Sequence, residues 1–521
     1  MLRLLLGKDW KANREEILKR ISQDVKNRQG NRILMVPELI SHDTERRLCA
    51  CAGDTASRYA EVLSFTRLYR RVADTMGFAA RECLDEGGRV VAMAASARQL
   101  ASRLKAYAAV ETRPEFLTGL IDAVDEFKRC CITAQNLKDA SAQTEGSLAQ
   151  KLEELSLLMS AYDSLCTRGK RDPRDRMTWL LEQLELGDFG ENHTFYIDGF
   201  PDFTRQNLEI LEHLIRVSPC VTVSLNCDAP GSHLLAFEKA GETARELLRC
   251  AQRAGVKVEI EHIAGDLNAV QEGLFQGPIH SGENLRVSYA ETAYIESLAA
   301  AKRVSELVQG GCRYRDIAIV VTDQAVYEPL LKLIFHRFHI PLYQSGTEEI
   351  LQKSVISTVL TALDAALSGF DQRSTLRYLR SALSPLDPDT CDLVENYAFI
   401  WGIRGKKWTE TWEYDPEGLK ETLSEKSAAM LRLLNEARKT AMEPLMALQR
   451  GFREAKDLRE QVEALYGFLE DIDLENRLGI LAEELDEAGD NRSAQILNQL
   501  WEILMSAMEQ MYDVLGDTAW A

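Results

Sequence analysis

The stretch "LRLLLGKDWKANREEILKRI" (Leu2–Ile21) decides the fold. Leu2 to Leu6 is a short apolar run suited to a strand covered on both faces, Gly7 punctuates it, and apolar residues then recur at helical spacing. Strand, tight turn and helix in that order open a βαβ unit. The same turn is where a phosphate loop of the form G-x-x-x-x-G-K-[ST] sits. Its backbone N–H groups curl round the phosphates, its Lys meets the β/γ oxygens and its hydroxyl binds Mg²⁺. Counted from Gly7, Ala12 stands at the second glycine, Asn13 at the Lys and Arg14 at the hydroxyl residue. Asn13 has no charge to offset a triphosphate, and Arg14 cannot ligate a metal. Lys8 and Lys11 occupy other offsets, from which only loose phosphate contacts at the helix N-terminus are open to them. Gly7, Lys8, Asn13 and Arg14 are therefore read as a degenerate nucleotide site, with an ordinary βα turn as the plain alternative.

Outward from this unit, "RILMVP" (Arg32–Pro37) and "EVLSF" (Glu61–Phe65) follow, separated by helical stretches, which is the rhythm of a parallel sheet. From about Val72 to Gly190 the sequence is helical almost throughout, with apolar residues at i, i+3, i+4 and i+7 in "FLTGLIDAVDEFKRC" and "LAQKLEELSLLMSAYDSL". Strands resume at "TFYIDGF" (Thr194–Phe200), "CVTVSLN" (Cys220–Asn226) and "VKVEIEHI" (Val256–Ile263). One parallel sheet interrupted by a helical insertion accounts for this order. A second alternation follows: "LRVSYA" (Leu285–Ala290), a helix from about Ala293 to Gln309, "RDIAIVVTD" (Arg315–Asp323), another helix, and "IPLYQSG" (Ile340–Gly346). Beyond about Gln352 the chain reads as helical to Ala521, broken at "PLDPDT" and "YDPEG". The predicted class is α/β, with two parallel-sheet domains at residues 1–72 plus 191–283 and at 284–370. Helical insertions are expected at 73–190 and 371–521.

A chain of 521 residues exceeds one hydrophobic core, and a hydrophobic content of 45% is ordinary for a globular protein in water. No run approaches a membrane span, and Met1 leads into the first strand without a signal-peptide pattern. Eleven cysteines lie scattered with no C-x-x-C pair, so reduced thiols in a cytoplasmic protein are expected, and no metal or Fe–S centre. His336 and His339 in "HRFH" lack a third ligand in view and read as a partly buried pair. The net charge of -19 argues against a polyanionic partner until its distribution is read. Residues 1–72 hold 15 Lys/Arg against 9 Asp/Glu, whereas residues 411–521 hold 11 against 24. One end can therefore meet a polyanion while the other stays in solvent or faces a basic partner.

The plan of sheet, helical insert, sheet, second sheet and second helical block resembles a superfamily 1 DNA helicase with two RecA-like domains, each carrying a helical insertion. Several phrases narrow the resemblance: "VPELISHDTERRL" (Val36–Leu48), "VLSFTRLYRRV" (Val62–Val72), "EFKRC" (Glu126–Cys130), "FYIDGFPDFTRQNLEILEHL" (Phe195–Leu214), "GCRYRDIAIVVTD" (Gly311–Asp323) and "LVENYAFIWGIRGKKW" (Leu393–Trp408). In order and spacing these are similar to the AddB (RexB) subunits of bacterial AddAB helicase-nucleases. Family members are expected to continue into a nuclease domain with an Fe–S cluster, which these 521 residues do not include. The resemblance implies ATP and Mg²⁺ in the complex, no cofactor held by this part, and no catalysis by this part alone. It implies an AddA-type helicase-nuclease subunit as heterodimer partner, with single-stranded and duplex-end DNA as ligands.

Against a working helicase the chain departs at three places. The phosphate loop is degenerate. A helicase ends the strand after its first insertion with an Asp for Mg²⁺ and a Glu for the attacking water; here Asp198 remains and Gly199 stands at the Glu, as it typically does in AddB. Thr322 in "VVTD" occupies a position where an Arg for the γ-phosphate is common. Three parts of one phosphoryl-transfer machine are thus missing together. What the resemblance leaves is a track for single-stranded DNA along the strand-end loops, where aromatics stack on bases and polar groups hold phosphates. Carried over by position, the candidates are His42 and Thr44 in "ISHDTE", Phe65, Arg67 and Arg70 in "LSFTRLYRR", and Phe200, Phe203 and Thr204 in "DGFPDFT". Phe65 reads equally well as a core residue. Leu39 replaces the Gln usual after "VPE", so recognition of a Chi-like sequence by scanning the strand is expected to be altered or lost there. "GIRGKKW" (Gly402–Trp408) is a basic turn suited to DNA, to a partner or to solvent. A scaffold for the AddA-type motor without DNA contact, and an NTP-binding subunit, are the competing readings.

Overall fold

The structure, a computed structural model, describes residues 1–77, 83–108, 113–168, 170–265, 286–344, 350, 353–418 and 424–516. Tertiary contacts group them into two units, residues 1–267 with 352–521, and residues 268–351.

The first unit is built on six strands: β1 (Leu2–Leu6), β2 (Arg32–Met35), β3 (Ala60–Leu63), β4 (Thr194–Ile197), β5 (Val221–Leu225) and β6 (Val258–His262). They lie in the order β3-β2-β4-β5-β1-β6 and every pairing is parallel. β5 is buried at every position, as an inner strand of a parallel sheet covered on both faces is, whereas edge strand β6 alternates as VEIEH and is nowhere fully buried. β5 also separates β1, which carries the Gly7 turn, from β4, which carries Asp198. This is the α/β fold with a RecA-like parallel sheet that the sequence led us to expect.

Three helices follow the first three strands: α1 (Trp10–Lys26), α2 (Ser41–Ala52) and α3 (Phe65–Thr75). Asp9 caps α1 by accepting from the Lys11 N–H at 2.9 Å. Ile17, Leu18, Ile21 and Val25 then face the sheet and pack with Leu5, Leu34, Val62 and Tyr196. The helical stretch between β3 and β4 comprises α4 (Glu86–Gln99), α5 (Pro114–Arg129), α6 (Ala134–Ser141), α7 (Gly146–Arg168) and α8 (Arg176–Leu186). It has its own core, with Met93, Leu120, Leu158 and Tyr162 fully or nearly buried. Beside that core, fully buried Arg89 pairs with Asp125 and lies 3.4 Å from Asp172, while Lys128 reaches Asp172 at 3.2 Å and Asp175 at 2.7 Å. Burial alone would discharge Lys128, but Asp172, Asp175 and Asp163 outweigh it and raise its pKa. Helices α9 (Arg205–Val217) and α10 (Glu238–Ala254) complete the sheet's flanks. Helices from Ser354–Leu367 to Asn491–Leu515 form the remainder of this unit, the last of them docking on α4, where Gln510 accepts from the Asp85 N–H at 2.9 Å.

The second unit packs helix Ala293–Gln309 against helix Gln324–Arg337 through Ala301, Val304, Leu331, Ile334 and Phe335. The three strands expected at 285–290, 315–323 and 340–346 are not present as paired strands among the described residues; residues 285 and 345–346 lie outside them. An extended segment becomes a strand only when its backbone finds a ladder partner, and these segments find none among the described residues. Val287, Tyr289, Val320 and Tyr343 are accordingly more than nine-tenths exposed. Among the described residues no helix is long and apolar enough to cross a membrane.

Candidate functional site

The carboxyl ends of β1, β5 and β4 converge on one small cavity. Asn13, 2% exposed, turns back from the first turn of α1 under the Gly7 bend. Its amide nitrogen donates to the carbonyl oxygens of Gly7 (3.1 Å) and Leu225 (3.2 Å) and lies 3.1 Å from Asn226 Oδ1. The residue at the phosphate-loop Lys position therefore ties β1 to β5 and points inward. Gly7 has to be glycine, because a Cβ there would come 2.9 Å from the Ile263 carbonyl oxygen and collide with the Asn13 amide. One residue on, Arg14 Nε donates to Asp198 Oδ2 at 2.8 Å, with side chains 13% and 7% exposed. The Ser224 hydroxyl donates to the other Asp198 oxygen. Both carboxylate oxygens are thus satisfied by protein. The Arg14 guanidinium also lies 5.2 Å from the Trp10 ring, at the mouth of the bend.

The cavity has a volume of about 260 Å³ and is lined by Trp10, Asn13, Arg14, Asp198, Phe200 and Asn226, among others. A magnesium–triphosphate does not fit this donor set: the one carboxylate able to bind a metal is engaged by a guanidinium and a hydroxyl, and the Lys position holds a buried amide. Gly199, at the position of a water-activating Glu, has φ of +82°. A Cβ there would stand 3.0 Å from Ile40 Cδ1 and 3.4 Å from the Arg14 guanidinium. A side chain at this position is disfavoured both by backbone conformation and by space.

The loops after β2, β3 and β4 gather the other candidates. Ser64 caps α3, accepting from the Arg67 N–H at 3.2 Å, so Phe65 opens a helix rather than ending a strand. Phe65 is 8% exposed and meets the rings of Phe200 and Phe203 edge-on at 5.6 and 6.4 Å. The three aromatics form one cluster, Phe65 inside and the other two half-buried above it. Arg67 is half-exposed between two carboxylates, 2.8 Å from Glu45 and 3.5 Å from Glu38. Arg70 and His42 are exposed, and His42 Nδ1 lies 3.8 Å from Glu45. Thr44 is buried and donates to the Ile40 carbonyl oxygen at 2.8 Å, while exposed Thr204 caps α9 by accepting from the Asn207 N–H at 3.2 Å. Lys8 is half-buried at the bend.

A family model described as "ADDB, N-terminal" matches residues 4–273, from within β1 to beyond β6, the helical stretch between β3 and β4 included. The chain belongs to the AddB N-terminal family. Curated relatives, each named as the B subunit of an ATP-dependent helicase/deoxyribonuclease, include those of Caldanaerobacter subterraneus subsp. tengcongensis (28% identical over 510 residues) and Clostridium botulinum strain Langeland (26% over 510 residues). Each match covers 93% of this chain and 44% of the relative, so the chain spans less than half the length of those proteins.

Within this AddB-type domain, sequence reasoning missed Ser224, Asn226, Glu38 and Glu45. The first two were legible only as polar residues at the end of an otherwise apolar strand, and the two glutamates gave no signal. His336 and His339 are both exposed rather than partly buried, because they fall at and beyond a helix end, His339 with φ of +55°. Among the described residues no group of three His, Cys, Asp or Glu side chains is placed to hold a metal ion, and none of the eleven cysteines is in a disulfide. In the basic turn at 402–408, Arg404, Lys406 and Lys407 are exposed and Trp408 is buried against Trp412. Thr322 is exposed in the second unit.

Proposed function

We propose that this chain is a non-hydrolysing, DNA-binding part of an AddB-type subunit, working beside an AddA-type motor in resecting broken DNA ends for recombinational repair in the cytoplasm. The observation that carries the reading is the Arg14–Asp198 pair. Phosphoryl transfer needs a metal clamp, a cation on the phosphates and a group that orients the nucleophile. In this chain the metal-binding carboxylate is spent on Arg14, the cation is replaced by Asn13, and the nucleophile's partner is replaced by Gly199. The relatives carry the words ATP-dependent in their name, and in such a complex turnover falls to the partner subunit.

The use left to the domain is to hold a strand across the loops after β2, β3 and β4. Phe200 and Phe203 offer half-open ring faces, and Arg70 and His42 are open to phosphates. Leu39, 98% exposed at the same rim, offers an apolar contact such as a thymine methyl takes, in place of an amide's paired hydrogen bonds. Scanning for a Chi-like sequence would read the strand through these loops, with altered preference at that position. Residues 284–370 as a second helicase-like domain, and 371–521 as its insertion, form the domain plan that goes with this reading. The test is ATP turnover with and without single-stranded DNA, beside oligonucleotide binding at two salt concentrations. No turnover, with affinity falling steeply as salt rises, is expected. DNA-stimulated turnover that is lost in Asp198→Ala would overturn the non-hydrolysing part.

One observation favours a second reading, a scaffold without DNA contact: Arg67 is neutralised by Glu38 and Glu45, and Phe65 and Thr44 face inward. Absence of oligonucleotide binding at low salt would select it.

A further inference from the structure

We propose that the cavity beside Trp10 receives a single unstacked nucleobase from a DNA strand, rather than a phosphate. The proposal rests on the single-strand-binding reading above and names what the former phosphate loop now holds. The first reason is charge. Arg14 and Asp198 neutralise each other across 2.8 Å, so the interior has no net attraction for a polyanion. The second is size. About 260 Å³ falls below the roughly 300–1,000 Å³ of pockets for drug-sized ligands and suits one planar ring system without its phosphates.

The third reason is the chemistry of the walls. Trp10, 46% exposed, and Phe200 and Pro201 supply ring and apolar faces. The guanidinium 5.2 Å from Trp10 adds a flat cation against which a base can also lie. A polar group suited to a base edge completes the lining, the exposed amide of Asn226, while the Ser224 hydroxyl is given to Asp198 and the Asn13 amide nitrogen to Gly7 and Leu225. An Asn amide pairs best with adenine, which presents one donor and one acceptor side by side. The fourth reason is position. Phe200 belongs both to this lining and to the Phe65–Phe200–Phe203 cluster, so a strand lying over the cluster passes the cavity mouth.

The experiment uses the 521-residue chain and an oligothymidylate carrying one 2-aminopurine, an adenine analogue whose fluorescence is quenched by stacking. Quenching on binding is expected in the parent protein and in Trp10→Phe. In Trp10→Ala the quench should vanish and affinity should fall by about tenfold, the loss of one base–aromatic stack. Trp10 is half-exposed, and circular dichroism of each variant verifies the fold. Unchanged quenching and affinity in Trp10→Ala would overturn the pocket while leaving strand binding intact. A chain that binds no oligonucleotide would instead refute the reading beneath it, and free ligands then decide the pocket alone. Adenosine should perturb Trp10 signals in NMR at millimolar concentration, with ATP binding no tighter. ATP binding more tightly than adenosine, or no Trp10-dependent adenosine signal, would overturn the proposal.

Discussion

Two stretches of the same sheet rim are built from similar strand-end loops and treat their polar side chains in opposite ways. At the ends of β1, β5 and β4, the Asn13 amide nitrogen, Arg14, Ser224 and Asp198 are engaged with one another or with backbone, and Asn13 and Arg14 are turned inward. At the ends of β2 and β3, Arg70 and His42 stay in solvent, and Arg67 is held by glutamates in a half-exposed ion pair. The difference teaches that a fold can keep the shape of a binding loop while its own side chains consume the binding capacity. Within that rim the Arg14–Asp198 pair balances its own charge.

That comparison is broken or sharpened by substitutions on each side. The largest effect is expected for Asp198→Ala, which leaves a guanidinium almost out of solvent without its carboxylate. Loss of one partner of a buried pair costs about 3–5 kcal/mol, and the partly open cavity puts the expectation at the lower end of that range. Urea denaturation of the parent, both single variants and Arg14→Ala/Asp198→Ala should show the double change costing less than the sum of the singles. Strict additivity would mean that the pair is not coupled.

A second test rebuilds the lost motif. Ala12→Gly, Asn13→Lys and Arg14→Thr together restore G-x-x-x-x-G-K-T from Gly7 and free Asp198 for a metal. Thermal stabilisation by magnesium–ATP should appear, worth about 2.7 kcal/mol at a hundredfold excess over the dissociation constant. Turnover should not appear, because Gly199 at φ of +82° still lacks a carboxylate. Turnover in this variant would show that Gly199 was never limiting.

On the other side of the rim the effects are smaller. Arg67→Ala with Arg70→Ala should weaken single-stranded DNA binding and reduce the salt slope by about 0.7 for each phosphate no longer neutralised. Glu45→Gln should do the reverse, because it releases Arg67 from its 2.8 Å partner. Equal salt slopes for all these variants would place the strand elsewhere.

The smallest effect is a control far from the rim. Burial works against the charge on Glu154, but N–H groups of Ala106, Tyr107 and Lys105 hold its carboxyl below the usual range. A depressed folded pKa contributes stability that is present above the unfolded value of about 4.3 and is lost as pH falls through the folded one. Glu154→Gln should therefore flatten the acid limb of stability below about pH 4.3 without moving DNA affinity. A change in DNA affinity would tie the insertion to the rim.

Much of this was legible from Leu2–Ile21 outward. The apolar runs without alternation pointed to the parallel sheet, and the helical periodicity of 73–190 placed the insertion between β3 and β4. Counting from Gly7 exposed the missing Lys and hydroxyl. What could not be read was the pairing of Arg14 with Asp198, since the two lie 184 residues apart and only the strand order brings them together. Phe65 was balanced between core and contact because position alone cannot say whether a strand ends at Leu63 or runs on; the Ser64 cap decides it. The segments read as strands at 285–290, 315–323 and 340–346 are not paired among the described residues. The continuous apolar run Ile317–Val321 carries strand propensity, but propensity does not supply a neighbouring strand.

The most direct measurement follows the melting temperature of the parent chain as magnesium–ATP is titrated to millimolar concentration. A phosphate loop occupied by Asn13 and Arg14 predicts no saturable shift. A saturable rise that disappears in Asp198→Asn would contradict the account.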